Sequence, residues 1–156
     1  TVWARLEAKL TTVTPAAVHA ASAQEMQALG MSLRKAEYIK DFARKIINGE
    51  FDLQAVEHMS DAEAIAALSS LKGIGRWTAE MILLFCLQRP DILSYDDLAI
   101  QRGLRMLYHH RKITRELFNK YQKRYSPYGS TAAIYLWAIA GGAIEGMKDY
   151  APAKKR

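Results

Sequence analysis

The sequence predicts an all-α fold, on three observations. Apolar residues recur at helical spacing, as Val2, Leu6 and Leu10 do, and again Ala36, Ile39, Phe42, Ala43, Ile46 and Ile47. Cap residues, glycines and prolines fall at the ends of those stretches. No stretch alternates apolar and polar residues convincingly as a strand.

Each element follows in order. Val2 to about Leu10 is the first helix. Thr14-Pro15 is a cap followed by proline at the first helical position, and Ser22 to Leu29 is a short helix stopped by Gly30. Ser32 with Lys35-Ala36-Glu37 opens the clearest helix, which ends at Gly49. Ser60 and Glu63 make a capping box before Ile65-Ala66-Ala67-Leu68. After a turn at Leu71–Arg76, an apolar helix runs from about Trp77 to Leu87 and Pro90 closes it. Further helices are expected from Asp97 to Tyr108, Thr114 to Tyr125 and Ser130 to about Ile139. Gly141-Gly142 and Pro152 mark a fraying C-terminus. The expected organisation is a single helical domain over 1–142 with a C-terminal tail over 143–156.

The 156 residues are half hydrophobic and 24% charged, which is globular and excludes a disordered or collagen-like chain. The lone cysteine, Cys86, excludes an internal disulfide framework, an all-cysteine zinc site and a four-cysteine iron–sulfur cluster, and suits a reducing compartment. The longest apolar run, Met81 to Leu87, is seven residues, so no membrane span is expected. There is no signal-peptide pattern. The chain begins at Thr1 without methionine and reads as a trimmed piece of something longer.

The net charge is +6, and its distribution is uneven. Residues 1–78 hold nine Lys/Arg and nine Asp/Glu, whereas residues 79–156 hold thirteen against seven. Within 102–124, Arg102, Arg105, Arg111, Lys112, Arg115, Lys120, Lys123 and Arg124 face only Glu116. That excess fits a solvated helix face or an acidic polymer, with nucleic acid ahead of an anionic membrane.

Leu71-Lys72-Gly73-Ile74-Gly75-Arg76-Trp77-Thr78-Ala79 places two glycines around one isoleucine between two helices. The amides of Gly73, Gly75 and the turn after them are expected to point outward at a helix N-terminus, where they would bind phosphate. Ile74 anchors the turn, while Lys72, Arg76 and Thr78 add side-chain donors. Three residues of this kind alone would suit an ordinary turn. The longer string resembles the helix–hairpin–helix motif of the HhH-GPD DNA glycosylase superfamily, and its 3-methyladenine DNA glycosylase II branch above all. Ser94-Tyr95-Asp96-Asp97-Leu98-Ala99-Ile100-Gln101-Arg102-Gly103 resembles that branch's aspartate loop and following helix, with Asp97 22 residues after Gly75. Tyr125-Ser126-Pro127-Tyr128-Gly129-Ser130 through Leu136-Trp137 resembles its C-terminal segment. The similarity runs from about Met31 to Trp137.

The resemblance implies a base-excision-repair enzyme acting on duplex DNA, with Asp97 catalytic and Asp96 a cap or solvent-facing. An Asp-Asp pair at a helix start is otherwise a cap. A fixed carboxylate stabilises the positive charge that develops on the sugar as an N-glycosidic bond breaks, and can orient water. Strand-cutting members carry a lysine two positions after the second hairpin glycine. Trp77 stands there, so the implied enzyme is monofunctional and leaves an abasic site. Trp77 and Trp137 are implied in the base pocket, with Tyr95 and Met81 as further lining or plain packing. Electron-rich rings attract an N-alkylated, cationic purine, which predicts broad specificity for alkylated bases flipped from the duplex. Arg102 joins Lys72, Gly73, Ile74, Gly75, Arg76 and Thr78 as expected contacts to the DNA backbone.

No organic cofactor is required. In the family a monovalent cation, Na+ or K+, often sits on main-chain carbonyls, here those of Ser69, Leu71 and Ile74. His109-His110 lacks partners at metal-ligand spacing and fits phosphate contact or solvation. Members carry an upstream segment, including the residue that plugs the gap left by the flipped base, for which no motif precedes Thr1. A monomer is expected, in the cytoplasm or nucleoid of a prokaryote or the nucleus of a eukaryote. The rival readings are a non-catalytic helix–hairpin–helix DNA-binding module and a glycosylase for another damaged base.

Overall fold

Side-chain caps decide where the helices begin. Ser22 and Glu25, and again Ser60 and Glu63, exchange reciprocal bonds in which each serine accepts an amide three residues on and each glutamate accepts the serine's amide. Thr14, Ser32, Asp52 and Thr114 cap with one side chain each. The computed structural model describes residues 1–152, and among them lie ten helices and no strand. None is long and apolar enough to cross a membrane. The described residues form two compact units that divide after Arg76.

The first unit holds α1 (Val2–Leu10), α2 (Pro15–Ala20), α3 (Ala23–Ala28), α4 (Leu33–Ile47), α5 (Leu53–His58) and α6 (Asp61–Ser69). α2 and α3 pack on α4. Leu6, Val18, Ala21, Met26, Ala36 and Ala43 are its buried cluster. The alanines at 36 and 43 sit two helical turns apart, so neighbouring helices approach the α4 axis closely there. α5 is the one helix not read from sequence. Asp52 caps it by accepting from the Gln54 and Ala55 amides.

The second unit holds α7 (Arg76–Phe85) from its second residue on, α8 (Leu98–Tyr108), α9 (Arg115–Tyr125) and α10 (Gly129–Ala140). α8 crosses α10 at Gly103, where a Cβ would stand 2.4 Å from the Leu136 carbonyl oxygen. Leu83, Ile100, Leu104, Phe118 and Leu136 are buried. α10 starts one residue earlier than expected, because Asp91 accepts the Gly129 amide at 3.0 Å while Ser130 Oγ accepts from Ile92. The tail is tethered where the sequence suggests fraying. Asp149 takes Arg105 Nε and Nη2 at 2.7 and 2.6 Å, and the Tyr150 ring packs on His109. Lys154-Lys155-Arg156, at the end of the expected tail, lies outside the described residues.

Candidate functional site

The hairpin closes on itself through one bond, from the Ile74 amide to the Leu71 carbonyl at 3.1 Å. Leu71 is buried and Ile74 half-buried, so both anchor the turn. The Ile74 amide is therefore spent inside the turn, which assigns Ile74 to anchoring. The two glycines have different causes. Gly73 has φ +86°, and a Cβ on it would lie 2.3 Å from Cδ2 of Tyr38. Gly75 has no left-handed φ, and a Cβ there would meet nothing within 4 Å. Internal packing does not require glycine at 75, so its bare backbone is available to something outside. Lys72 and Arg76 are exposed and Thr78 is half-buried. Ser69 Oγ is buried without a hydrogen-bond partner.

Asp97 is 6% exposed and held by three donors. Its Oδ1 accepts the Ala99 and Ile100 amides, each at 2.9 Å, which makes it the N-cap of α8. Its Oδ2 accepts from Trp77 Nε1 at 2.9 Å. The helix dipole adds positive potential at the same end. Of the two roles expected for Asp96, cap or solvent-facing, the cap belongs to Asp97, because only the second aspartate reaches the free amides of the first turn. Asp96 is the solvent-facing member, with Arg115 at 3.9 Å.

Trp77, Met81 and Phe85 recur every fourth residue along α7 and lie on one face. Trp77 is 47% and Phe85 60% exposed, unlike Ala79, Leu83 and Leu84 on the buried side. Phe85 stacks on Trp137, with centroids 5.6 Å apart and planes 12° from parallel. Phe85 escaped the sequence reading because it falls inside the longest apolar run, although its four-residue spacing from Met81 was visible. Tyr95 sits apart from that stack. Its ring meets Phe118 edge-on and carries the Arg115 guanidinium 3.7 Å above one face.

The basic stretch is partly neutralised within the chain. Arg105 is bound to Asp149, Arg102 lies 4.0 Å from the same carboxylate, and Arg124 lies over the Tyr121 and Tyr108 rings. Asp149 is held below the usual carboxylate range, chiefly by the Arg105 hydrogen bond. His109 is exposed and His110 half-buried. His109 closes α8 in the left-handed conformation, and His110 Nε2 lies 2.6 Å from the Tyr121 hydroxyl. An open groove of about 390 Å³ lies at the C-terminal end of α8, bounded by Leu107, Tyr108, Arg124, Tyr125, Tyr128 and Tyr135. None of the expected pocket residues lines it.

This helical architecture, with a two-glycine hairpin and, 22 residues further along the sequence, a capped aspartate, is the class of the HhH-GPD proteins. The family described as "HhH-GPD superfamily base excision DNA repair protein" matches residues 1–127, and the chain belongs to it. The chain is 37% identical over 126 residues to DNA-3-methyladenine glycosylase 1 of Schizosaccharomyces pombe, covering 80% of this chain and 55% of the relative. It is 29% identical over 128 residues to DNA-3-methyladenine glycosylase 2 of Escherichia coli, covering 82% of this chain and 43% of that protein. The crystal structure of a DNA-3-methyladenine glycosidase from Bacillus halodurans superposes with a TM-score of 0.81 at 32% identity, over 96% of this chain and 70% of the other. The S. pombe 3-methyladenine DNA glycosylase in complex with abasic DNA superposes at 0.75 and 33% identity, over 87% and 66%. The chain thus spans roughly half the length of the curated relatives it matches.

Proposed function

We propose that the protein hydrolyses the N-glycosidic bond of alkylated bases, of the 3-methyladenine and 7-methylguanine type, in duplex DNA. The observation that carries this reading is Asp97, a nearly buried carboxylate oriented by two amides and an indole. An alkylated purine already carries positive charge. When its bond to the sugar breaks, the electron pair goes to the base and the charge passes to the sugar. A preorganised carboxylate stabilises that charge by Coulomb attraction where water is scarce, and effects of this kind are worth about 10²–10³ in rate. Water then adds to the sugar carbon, and in this reading the proton it loses passes to Asp97.

The aromatic face of α7 and the Phe85–Trp137 stack favour a cationic, flipped base through ring faces rather than hydrogen bonds. Such a pocket tolerates several lesions. Gly75, with open space where a side chain would be, suits close approach of a DNA phosphate to the hairpin backbone. Ser69, Leu71 and Ile74 would hold a monovalent cation on their carbonyls, and the unpartnered Ser69 Oγ beside them fits such a group. The cation would supply positive charge next to the phosphate. The names of the relatives, both 3-methyladenine glycosylases, agree with this substrate class.

Trp77 in place of a lysine nucleophile makes the enzyme a hydrolase without strand cutting. The test is product analysis on methylated duplex DNA. Free methylated base with an intact strand, broken only after alkali, supports the reading. Strand breaks without alkali would overturn the monofunctional assignment. Tight binding without base release would favour a non-catalytic DNA-binding module.

A further inference from the structure

Tyr38 lies on α4, at distance in sequence from every residue the motifs single out, yet its ring is pressed against the hairpin. A Cβ on Gly73 would stand 2.3 Å from Tyr38 Cδ2, 3.0 Å from Cγ and 3.1 Å from Cε2. These are atoms at the root and side of the ring. A flexible side-chain tip could swing aside, but this ring can leave only by changing the rotamer of a helical tyrosine. Tyr38 is half-buried and stands off the buried Ala36–Ala43 stripe, so filling the core does not explain it. The same face of α4 carries Asp41, one turn on. Asp41 is held below the usual carboxylate range, first by its hydrogen bond to Arg44 and then by the charges of Lys45, Arg44 and Lys72. The face of α4 that carries Tyr38 therefore meets the hairpin at Gly73, with the Lys72 charge acting on Asp41 of the same face.

We propose that Tyr38 is a positioning residue for DNA binding, a ring floor that holds the Gly73 backbone in its left-handed conformation and so keeps the adjacent amides presented. The inference rests on the reading of the hairpin as a phosphate grip. A left-handed glycine between helices is conformationally free in isolation, because φ above and below zero are similarly accessible to it. The ring removes that freedom before DNA arrives, so the ordering cost is not charged to binding. Glycine at 73 is demanded twice, by its φ and by the ring.

The test uses a fluorescein-labelled duplex bearing a tetrahydrofuran abasic site, titrated at several salt concentrations. Tyr38→Phe keeps the ring and is expected to bind like wild type. Tyr38→Ala and Tyr38→Leu are expected to bind about tenfold more weakly, the scale of ordering one or two backbone residues on binding. Their plots of log affinity against log salt are expected to be shallower by about one phosphate contact. Tyr38→Leu keeps apolar bulk and so supplies a folded variant if the alanine chain unfolds. The contact itself is read by a thermal cycle, in which Gly73→Ala lowers Tm less in the Tyr38→Ala background than in wild type. Gly75→Leu, which fills the open space over the hairpin, is the control. If Gly75→Leu weakens binding and folded Tyr38→Leu does not, the Tyr38 proposal fails while the hairpin reading stands. If Gly75→Leu leaves binding unchanged, the hairpin reading fails and takes this proposal with it.

Discussion

The indole Nε1 of Trp77 donates a 2.9 Å hydrogen bond to Oδ2 of Asp97. Twenty residues of sequence separate the two, and the bond joins the start of α7 to the cap of α8. The half-exposed indole leaves ring area open while its N–H fixes the carboxylate, so in the proposed base pocket one side chain would carry two tasks.

Replacing Trp77 should separate those tasks. Trp77→Phe keeps a ring and removes the donor. Hydrogen bonds to charged groups contribute about 1.5–3 kcal/mol, so single-turnover base release should fall by about tenfold to a hundredfold. Affinity for abasic duplex should change far less. Trp77→Ala should lose both, and fluorescence titration beside single-turnover kinetics distinguishes the two patterns.

The double duty of Asp97 predicts a split between two substitutions. Asparagine caps as well as aspartate, but its NH2 replaces the oxygen that accepts from Trp77 Nε1. Asp97→Asn should therefore keep the cap, lose the indole bond and lose less stability than Asp97→Ala. Asp97→Ala removes the cap and leaves the Trp77 N–H without its acceptor, and should cost about 1–3 kcal/mol in urea unfolding. Equal destabilisation by both would mean that the carboxylate charge or its indole bond, rather than the cap, holds α8.

Three glycines should respond differently to alanine. Gly103→Ala drives a methyl group against the Leu136 carbonyl, and overpacking of this kind costs about 1–3 kcal/mol. Gly73→Ala meets both the Tyr38 ring and a left-handed φ. Gly75→Ala has open space and should stay within about 0.5 kcal/mol of wild type, while still weakening DNA binding. Chemical denaturation beside a binding titration separates the three.

Acid should destabilise the fold over a definite window. Glu25 is lowered from 4.5 to about 2, first by its hydrogen bond to Lys9 and then by the Ser22 amide and hydroxyl. Asp41, Glu50, Glu63 and Asp149 are lowered as well, each chiefly by a hydrogen bond. A carboxyl lowered on folding binds protons more readily in the unfolded chain, so its stabilisation is complete above the unfolded value. It is lost as pH falls through the folded one. Tm should therefore hold steady from neutral pH to about 5 and fall from about pH 4.5 towards 2.

Most of the fold was legible because local chemistry set the helix ends. Ser22, Ser32, Ser60 and Thr114 cap where their spacing indicates. α5 escaped because it is six residues long and carries a single buried residue, Val56, so no apolar stripe announces it. The tail reads as fraying from its glycines, yet Arg105 and Asp149 meet across 44 residues, a tertiary pairing that local pattern does not encode. The hairpin and the aspartate pair were legible as motifs. Which aspartate caps α8 was not, since both stand at its start and only backbone geometry decides which one reaches the Ala99 and Ile100 amides. Tyr38 and Phe85 were invisible as site residues for a related reason. Each looks like packing until its neighbour, Gly73 or Trp137, is placed beside it.

The central claim is that the Asp97 carboxylate carries the chemistry. Its most direct test is single-turnover release of 3-methyladenine from methylated duplex DNA by wild type and Asp97→Asn, at protein concentrations that saturate the DNA. Release by wild type, with at least about a hundredfold loss in a variant that folds and binds abasic duplex normally, is the expected result. Release by Asp97→Asn at the wild-type rate would contradict the account.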